Sequence, residues 1–476
     1  MPKIFYLVLS VELFERMAFY GLQSIAVIYF MHRLSIGEGQ SADLFASFSA
    51  LAYAMLIIGG ILGDKLLGLS KVYLLGIIFF VMGYFIMTIV NNERVLYLAM
   101  GAIIVGNVLF KPSANNYIGQ CFINTPEKLD SAFTYYYMVI NIGITLGTTI
   151  IPIVAVLFSY SIAIDLCAVF MVITLLTYLG FEKEFKVKDN IIGYNSKKTS
   201  FIYVFAIAIV GSIIFSYLLD NLYLSTIILY SAFILITIIY LYTAKKHDAA
   251  DANRMYVAFI LWIFSICFFV SYIQIATSFT LFALHNVNLK FFNFTLPAGV
   301  TQSLDSFFII IFSPILSRIY ITSHKKSGTH DMSIKFATGI LFVGLCFITL
   351  VIGSMFFANQ NSQISVLWLV IAYVFYAIGE LLVSALGASM IIKLLPNNIH
   401  GFGQGIWYLG AAIGMKLGGQ LFVFLNPGNN IKNTHLMLHT YIKLFSIMGI
   451  ATIAMSLILF SISPKLTKIL SSSKQQ

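Results

Sequence analysis

Residues 72–90 read VYLLGIIFFVMGYFIMTIV, a run from Val72 to Val90 with no charged side chain. A helix rises about 1.5 Å per residue and the hydrocarbon core of a bilayer is about 30 Å thick, so a spanning helix takes about 20 apolar residues. The run fits that length and is too long for an ordinary strand. A membrane barrel would show short segments alternating every second residue, and this run is continuous. Working outward, further runs predict spanning helices over Phe5–Met31, Asp43–Gly63, Val95–Tyr117, Phe133–Phe158 and Ile162–Phe181. A polar stretch, Glu182–Ser200, carries five lysines. Two more apolar runs follow, Phe201–Leu219 and Tyr223–Thr243, and then a polar linker, Ala244–Asn253. Six runs complete the chain: Met255–Leu284, Pro297–Thr322, Ile334–Phe357, Ser365–Leu394, Phe402–Leu425 and Leu436–Ser461.

Composition agrees with that pattern. Of 476 residues, 60% are hydrophobic and 10% charged, against about 45–50% and about 25% in soluble domains. A soluble enzyme, a disordered chain, a coiled coil and a secreted disulfide scaffold are excluded. Fourteen spanning helices would use about 280 residues, in keeping with the apolar share. The net charge of +10 would suggest nucleic acid in a soluble protein. Here the basic residues gather in short loops, and the positive-inside rule explains them. With both termini inside, and with Arg318, Lys335 and Lys393 counted inside and Lys443 outside according to the nearer end of their spans, 20 Lys and Arg fall in inside segments, 5 in outside segments and 3 (Arg16, Lys111, Lys416) within helices, accounting for all 28. The four cysteines, Cys121, Cys167, Cys267 and Cys346, have no metal-ligand or disulfide spacing. Glu12, Glu15 and Arg16 interrupt the first apolar run, and no cleavage site follows, so this run is expected to be a retained span and not a signal peptide.

Six spans, two, then six suggest two similar halves with an inserted pair. The expected segments are a six-helix bundle over 1–181, an insert over 182–253, a second six-helix bundle over 254–462 and a cytoplasmic tail over 463–476. A weak internal match supports the repeat. Ile61-Leu62-Gly63-Asp64, with Lys71 seven residues past the acid, corresponds to Ile315-Leu316-Ser317-Arg318, with Lys325 seven residues past the arginine.

A charge at mid-membrane costs a few kcal/mol and points to function. The first span places Glu12, Arg16, Phe19, Tyr20 and Gln23 on one helix face, with Glu15 beside them. Glu12 and Arg16 have the spacing and order of a favourable ion pair. Such a pair can simply fix helix packing, but two acids to one base leave an excess carboxyl suited to taking up a proton. The fourth span carries Lys111 with Asn107 and Asn115 four residues to either side and Pro112 next to it, where a kink is expected. The tenth core span carries Glu380, with Tyr373, Tyr376 and Ser384 on the same face. If the halves are related, Lys111 and Glu380 face each other with opposite charge and suit a zwitterion such as a short peptide. Asp305, near Gln302, is either a second acidic site or a wet helix-start residue. Lys416 in the eleventh core span has no evident role. No phosphate loop and no catalytic motif is present, so transport would be secondary or passive.

At these residues the chain resembles the proton-dependent oligopeptide transporter family, within the major facilitator fold. The family's first-helix motif, Glu-x-x-Glu-Arg-Phe-x-Tyr-Tyr-Gly, stands here as Glu12-Leu13-Phe14-Glu15-Arg16-Met17-Ala18-Phe19-Tyr20-Gly21, departing at Met17 and Phe19. Gly60-Ile61-Leu62-Gly63-Asp64, Phe110-Lys111-Pro112, Tyr136 to Gly143, Gly379-Glu380, Lys393-Leu394-Leu395-Pro396 and Trp407 match further elements in order. Tyr20-Gly21-Leu22-Gln23, Gln274-Ile275-Ala276-Thr277-Ser278 and Phe282 to Val287 are most similar to the enterobacterial-type branch. Other members carry Arg or Lys at the position of Gln23. Tyr272 and Ile273 stand where some members have an acid, and Asp305-Ser306 replaces the usual Asn-Pro.

The resemblance implies an all-α polytopic membrane protein that imports di- and tripeptides with protons across a bacterial inner membrane, both termini cytoplasmic. It implies that Glu380 holds the peptide amine with Asn141 and Asp305 nearby, and that Arg16 and Lys111 attract the carboxylate. Tyr20, Gln23, Tyr53 and Trp407 would line the peptide site. Glu12, Glu15, Arg16, Lys111 and Asp305 would serve proton coupling. Peptides, protons and the lipid bilayer are the expected partners. No nucleic acid, cofactor or metal is expected, and the chain is expected to be monomeric. Spacing alone supports only a bipolar polar site. A carrier of another small solute (a drug, an amino acid, an anion) and a non-transporting receptor or scaffold stay open at this stage.

Overall fold

A computed structural model describes residues 2–62, 67–122, 125, 129–191, 198–291, 293–327, 332–396, 399–425 and 433–472. The helices, in chain order, are α1 (Lys3–Leu34), α2 (Glu38–Ala54), α3 (Leu56–Leu62), α4 (Leu69–Thr88), α5 (Glu93–Cys121), α6 (Leu129–Leu157), α7 (Tyr160–Gly180), α8 (Glu182–Ile191), α9 (Lys198–Asp220), α10 (Leu222–Lys246), α11 (Ala249–Tyr272), α12 (Ser278–Asn286), α13 (Ser303–Ser327), α14 (Met332–Phe356), α15 (Val366–Leu394), α16 (His400–Leu425) and α17 (Thr434–Ser472). Short strands occupy loops. β1 (Val287–Asn288) pairs in parallel with β4 (Ile364–Ser365), and β2 (Lys290–Phe291) pairs antiparallel with β3 (Phe294–Thr295).

Among the described residues, twelve helices are long and apolar enough to cross a membrane. The first two expected spans are not among them, for local reasons. α1 carries two acids and an arginine, and the second run is divided into α2 and α3. Gly63 and Asp64, part of the internal match and of a family element, lie outside the described residues.

Local chemistry starts several helices. Asn92, Ser159 and Asp248 cap α5, α7 and α11, accepting from the backbone N–H of Val95, Ile162 and Asp251 at 3.0, 3.2 and 2.8 Å. Each cap satisfies one of the N–H groups that a helix start leaves without a partner. Pro112, Pro152, Pro314 and Pro464 lie inside helices. α17 continues through Pro464 to Ser472, past the expected end at Ser461.

The chain forms two compact units. The first comprises Met1–Ile36, Ser47–Ser225 and Gly299–Ser303, and the second comprises Gly37–Ala46, Thr226–Ala298 and Leu304–Gln476. In the first, α1 packs on α6 and α7, α4 on α5 and α7, and α9 on α5. In the second, α14 packs on α15 and α17, and α11 on α16 and α17. α10 joins the second unit through the Tyr240 hydroxyl, which donates to Met255 O at 2.8 Å, and through Phe233 against Trp262. Within the linker over 182–200, α8 covers Glu182–Ile191. Phe185 of α8 is buried against Tyr178, with ring centroids 4.7 Å apart, and against Tyr73 and Tyr117. Lys3 donates to Glu184 at 2.8 Å and holds that carboxyl below the usual range. The inserted helices leave Ile202, Ile207, Val210, Ile234 and Ile238 exposed, as lipid-facing surfaces require, since lipid tails are as apolar as these side chains.

The long expected run Met255–Leu284 is interrupted. α11 ends at Tyr272, a 3-10 turn spans Ile273–Ile275, and α12 begins at Ser278. Side chains of the break satisfy backbone groups that the interruption frees. Gln274 Nε2 donates to Val270 O at 3.2 Å and to Gly418 O at 3.0 Å. Thr277 and Thr280 donate to Ile273 O and Ile275 O, and Ser278 Oγ donates to Gln274 Oε1 at 2.7 Å. Non-helical backbone at membrane depth is tolerated when protein groups satisfy it in this way.

Candidate functional site

The first unit gathers charge on α1. Glu12, Glu15 and Arg16 are 0%, 0% and 2% exposed. Arg16 Nε lies 3.1 Å from Glu12 Oε2 and 2.7 Å from Glu15 Oε2. One guanidinium nitrogen therefore serves two carboxylates. The Tyr136 hydroxyl also reaches Glu12. Among the described residues, Oε1 of Glu12 and both carboxyl oxygens of Glu15 have no hydrogen-bond donor. A buried carboxyl oxygen without a donor is costly unless the group can change its protonation state. Close helix approach builds the cluster. A Cβ at Gly143 of α6 would sit 2.8 Å from Leu13 O and 2.9 Å from Arg16 Cβ, so glycine lets α6 pass directly behind the arginine.

Two sequence-identified tyrosines of this unit lie beside its cations. Lys111 Nζ donates to the Tyr53 hydroxyl oxygen at 3.3 Å and stands 4.4 Å from that ring's centroid. The Lys111 charge also acts on Glu15. The Tyr20 ring centroid is 6.0 Å from the Arg16 guanidinium. Asn107 donates to Ala52 O at 3.1 Å. Asn141 is buried and its amide donates to Tyr137 O one turn back, at 2.8 Å. Gln23 is partly accessible on α1.

The second unit holds a contrasting group. Asp305 is the third residue of α13, after the 3-10 turn Ala298–Gln302. Glu380 lies in the middle of α15. Each carboxyl lies within electrostatic reach of the other, so the structure brings these two sequence-identified acids near each other. Tyr376 is one turn before Glu380, stacked on Phe268 with ring centroids 6.0 Å apart, and Cys346 of α14 lies within electrostatic reach. Trp407 is buried, edge-on to Phe269 and Phe336.

Lys416 has a partner that sequence reasoning missed. Its Nζ lies 2.6 Å from Asp43 Oδ1, with side-chain exposures of 1% and 18%. One turn further along α16, Gln420 accepts from the Tyr230 hydroxyl of α10 at 2.5 Å. A second pair joins His285 Nε2 to Glu38 Oε1 at 2.7 Å. The one available signal was sign: Lys416 and Asp43 are isolated opposite charges in apolar runs. Breaking a buried pair by removing one partner costs about 3–5 kcal/mol. Lys416→Met is therefore expected to lower the melting temperature of the purified protein steeply. Adding Asp43→Asn should recover most of that loss. Two independent, additive losses in the double variant would show that the pair is not coupled.

The model of the POT family matches residues 67–438. The chain belongs to the POT family. Dipeptide and tripeptide permease B of Photorhabdus asymbiotica is 33% identical over 476 residues, covering 98% of this chain and 96% of the relative. Dipeptide and tripeptide permease A of Erwinia pyrifoliae is 35% identical over 471 residues, covering 98% and 94%. Among solved structures, a bacterial homologue of the human drug peptide transporters PepT1 and PepT2 superposes with a TM-score of 0.85 at 28% identity, covering 98% of both chains. Tetrameric PepTSo2 gives 0.86 at 28% identity, also covering 98% of both. This POT chain accordingly has the major facilitator fold and is a transporter and not an enzyme.

Proposed function

We propose that this POT chain is a proton-coupled symporter that imports di- and tripeptides by alternating access. The observation that carries the proposal is the division of charge between the units. One unit holds two cations, Arg16 and Lys111, beside the helix-one acids, and the other holds the acids Asp305 and Glu380. A short peptide presents an ammonium and a carboxylate separated by about 3.3–3.6 Å per residue, and each end finds a group of opposite sign in this set. Arg16 and Lys111 take the carboxylate, and Glu380, with Asn141 and Asp305, takes the amine. Tyr20, Gln23, Tyr53 and Trp407 set the side-chain environment. Glu12 and Glu15, sharing one arginine nitrogen, are the coupling acids, and Lys111 tunes Glu15.

Support for the substrate class comes from the permeases of Photorhabdus and Erwinia, matched over nearly their whole length. We place both termini on the cytoplasmic side of a bacterial inner membrane, from the 20 to 5 distribution of basic residues. The two repeats are 1–181 and 254–462, with an insert over 182–253 and a tail over 463–476. The transporting unit in this proposal is the monomer. A competition series tests the substrate class: unlabelled dipeptides and tripeptides should displace a labelled dipeptide from the purified protein, and single amino acids and tetrapeptides should not. Displacement by amino acids as strong as by dipeptides would move the assignment to another solute.

A further inference from the structure

The first turns of α17 carry two side chains that the transport assignment leaves unused. His435 and His439 are four residues apart, and both are exposed. Side chains at that spacing share one helix face. Their rings meet edge to face, with centroids 4.7 Å apart and planes inclined at 63°. Of the eight histidines in the chain, these are the one pair at helical spacing. Asn433 Oδ1 accepts from the His435 backbone N–H at 2.9 Å and fixes the turn that starts the helix. Asn286 Nδ2 donates to Thr434 O at 3.1 Å, which holds that start against the end of α12. The apolar span in α17 runs over 37 residues, from Thr434 to Leu470, and about 20 residues cross a bilayer. Its first turns can therefore stand in water, and exposed Lys443, one turn beyond His439, continues the same polar face.

We propose that His435 and His439 form a binding site for a divalent transition-metal ion of the Cu²⁺, Ni²⁺ and Zn²⁺ class. The nitrogen of a neutral imidazole is a preferred ligand of these ions. A metal–imidazole bond is about 2.0–2.1 Å long and the ring centroid lies about 1.1 Å beyond the nitrogen, so two ligands at tetrahedral or square-planar angles hold their centroids about 4.4–5.3 Å apart. The 4.7 Å separation falls inside that range. The rings need to turn about their side-chain bonds, and the backbone needs no change. Because one helix holds both ligands, the second bond forms at a high effective concentration. Among the described residues, no third histidine, cysteine, aspartate or glutamate joins them. A closed structural zinc site has four protein ligands, so this site is an open one whose remaining positions take water. Lys443 repels a cation, but water and salt screen an exposed charge one turn away. With the termini on the cytoplasmic side, as proposed above, α17 begins on the opposite side, and the site meets ions outside that membrane.

The test uses the full chain, purified without a polyhistidine tag and titrated calorimetrically with Cu²⁺, Ni²⁺ and Zn²⁺ salts. Wild type should bind one ion tightly, Cu²⁺ best of the three. Mg²⁺, which prefers oxygen ligands, should not compete. His435→Gln and His439→Gln should each weaken binding roughly tenfold or more, because either leaves a single ligand. Ni²⁺ should raise the melting temperature of wild type and leave that of each variant nearly unchanged, since an ion that binds the folded helix stabilises it. The electron paramagnetic resonance spectrum of the Cu²⁺ complex should show two coordinated nitrogens in wild type and one in either variant. Equal affinity in wild type and either variant would overturn the proposal, and so would displacement of the ion by Mg²⁺. Should a variant fail to fold, a wild-type spectrum with fewer than two coordinated nitrogens would overturn it alone.

Discussion

Replacing Glu15 by glutamine is expected to reduce proton-gradient-driven uptake to background and to leave peptide counterflow measurable. Glu15 is fully buried and its ion partner, Arg16, is shared with Glu12. The amide has nearly the carboxylate's size, so packing of α1 against α6 is kept. The substitution leaves Glu12 and Arg16 as a balanced one-to-one pair, which has no excess carboxyl to load with a proton. Exchange of peptide for peptide needs no net proton movement and should survive. The measurement is paired uptake in vesicles, with a gradient and without one but with internal peptide. Driven uptake equal to wild type would remove α1 from the coupling route.

Glu380→Ala is expected to weaken dipeptide binding by roughly thirtyfold or more. Removing one partner of a buried charged contact costs about 2–5 kcal/mol, largely because the other charge is left unpaired, and each 1.4 kcal/mol is about tenfold in affinity. Asp305 remains in the variant, and its carboxyl limits the loss without removing it. The check compares a dipeptide with its N-acetylated form. Wild type should strongly prefer the free amine, and the variant should lose most of that preference. If wild type binds both forms equally, the amine is not read and Glu380 has another task.

Much of the fold was legible because one physical requirement, the bilayer's thickness, stamps itself on continuous stretches of sequence. The run Val72–Val90 corresponds to a helix over Leu69–Thr88. The Glu12–Arg16 contact was legible from four-residue spacing alone, since neighbours on a helix face need no tertiary knowledge. The Lys416–Asp43 contact was not, because 373 residues separate the partners and no periodicity links them. The break at Ile273–Thr277 was hidden for a different reason. Hydropathy continues smoothly through it, and what allows the break is local donation by Gln274, Thr277, Ser278 and Thr280. Asp305 sat ambiguously between a wet cap and a buried acid because the preceding turn, Ala298–Gln302, shifts the helix start to Ser303. The structure places it early in the helix and against Glu380, a combination neither sequence alternative described in full.

The most direct test of proton-coupled peptide import is uptake of a labelled dipeptide by vesicles containing only this protein and lipid. An inward proton gradient should drive the dipeptide to an internal concentration above the external one. A protonophore should return it to the equilibrium level, and excess unlabelled tripeptide should block entry. Uptake that stops at the external concentration, whether or not a gradient is present, would contradict coupling. An absence of uptake by folded protein would contradict peptide transport itself.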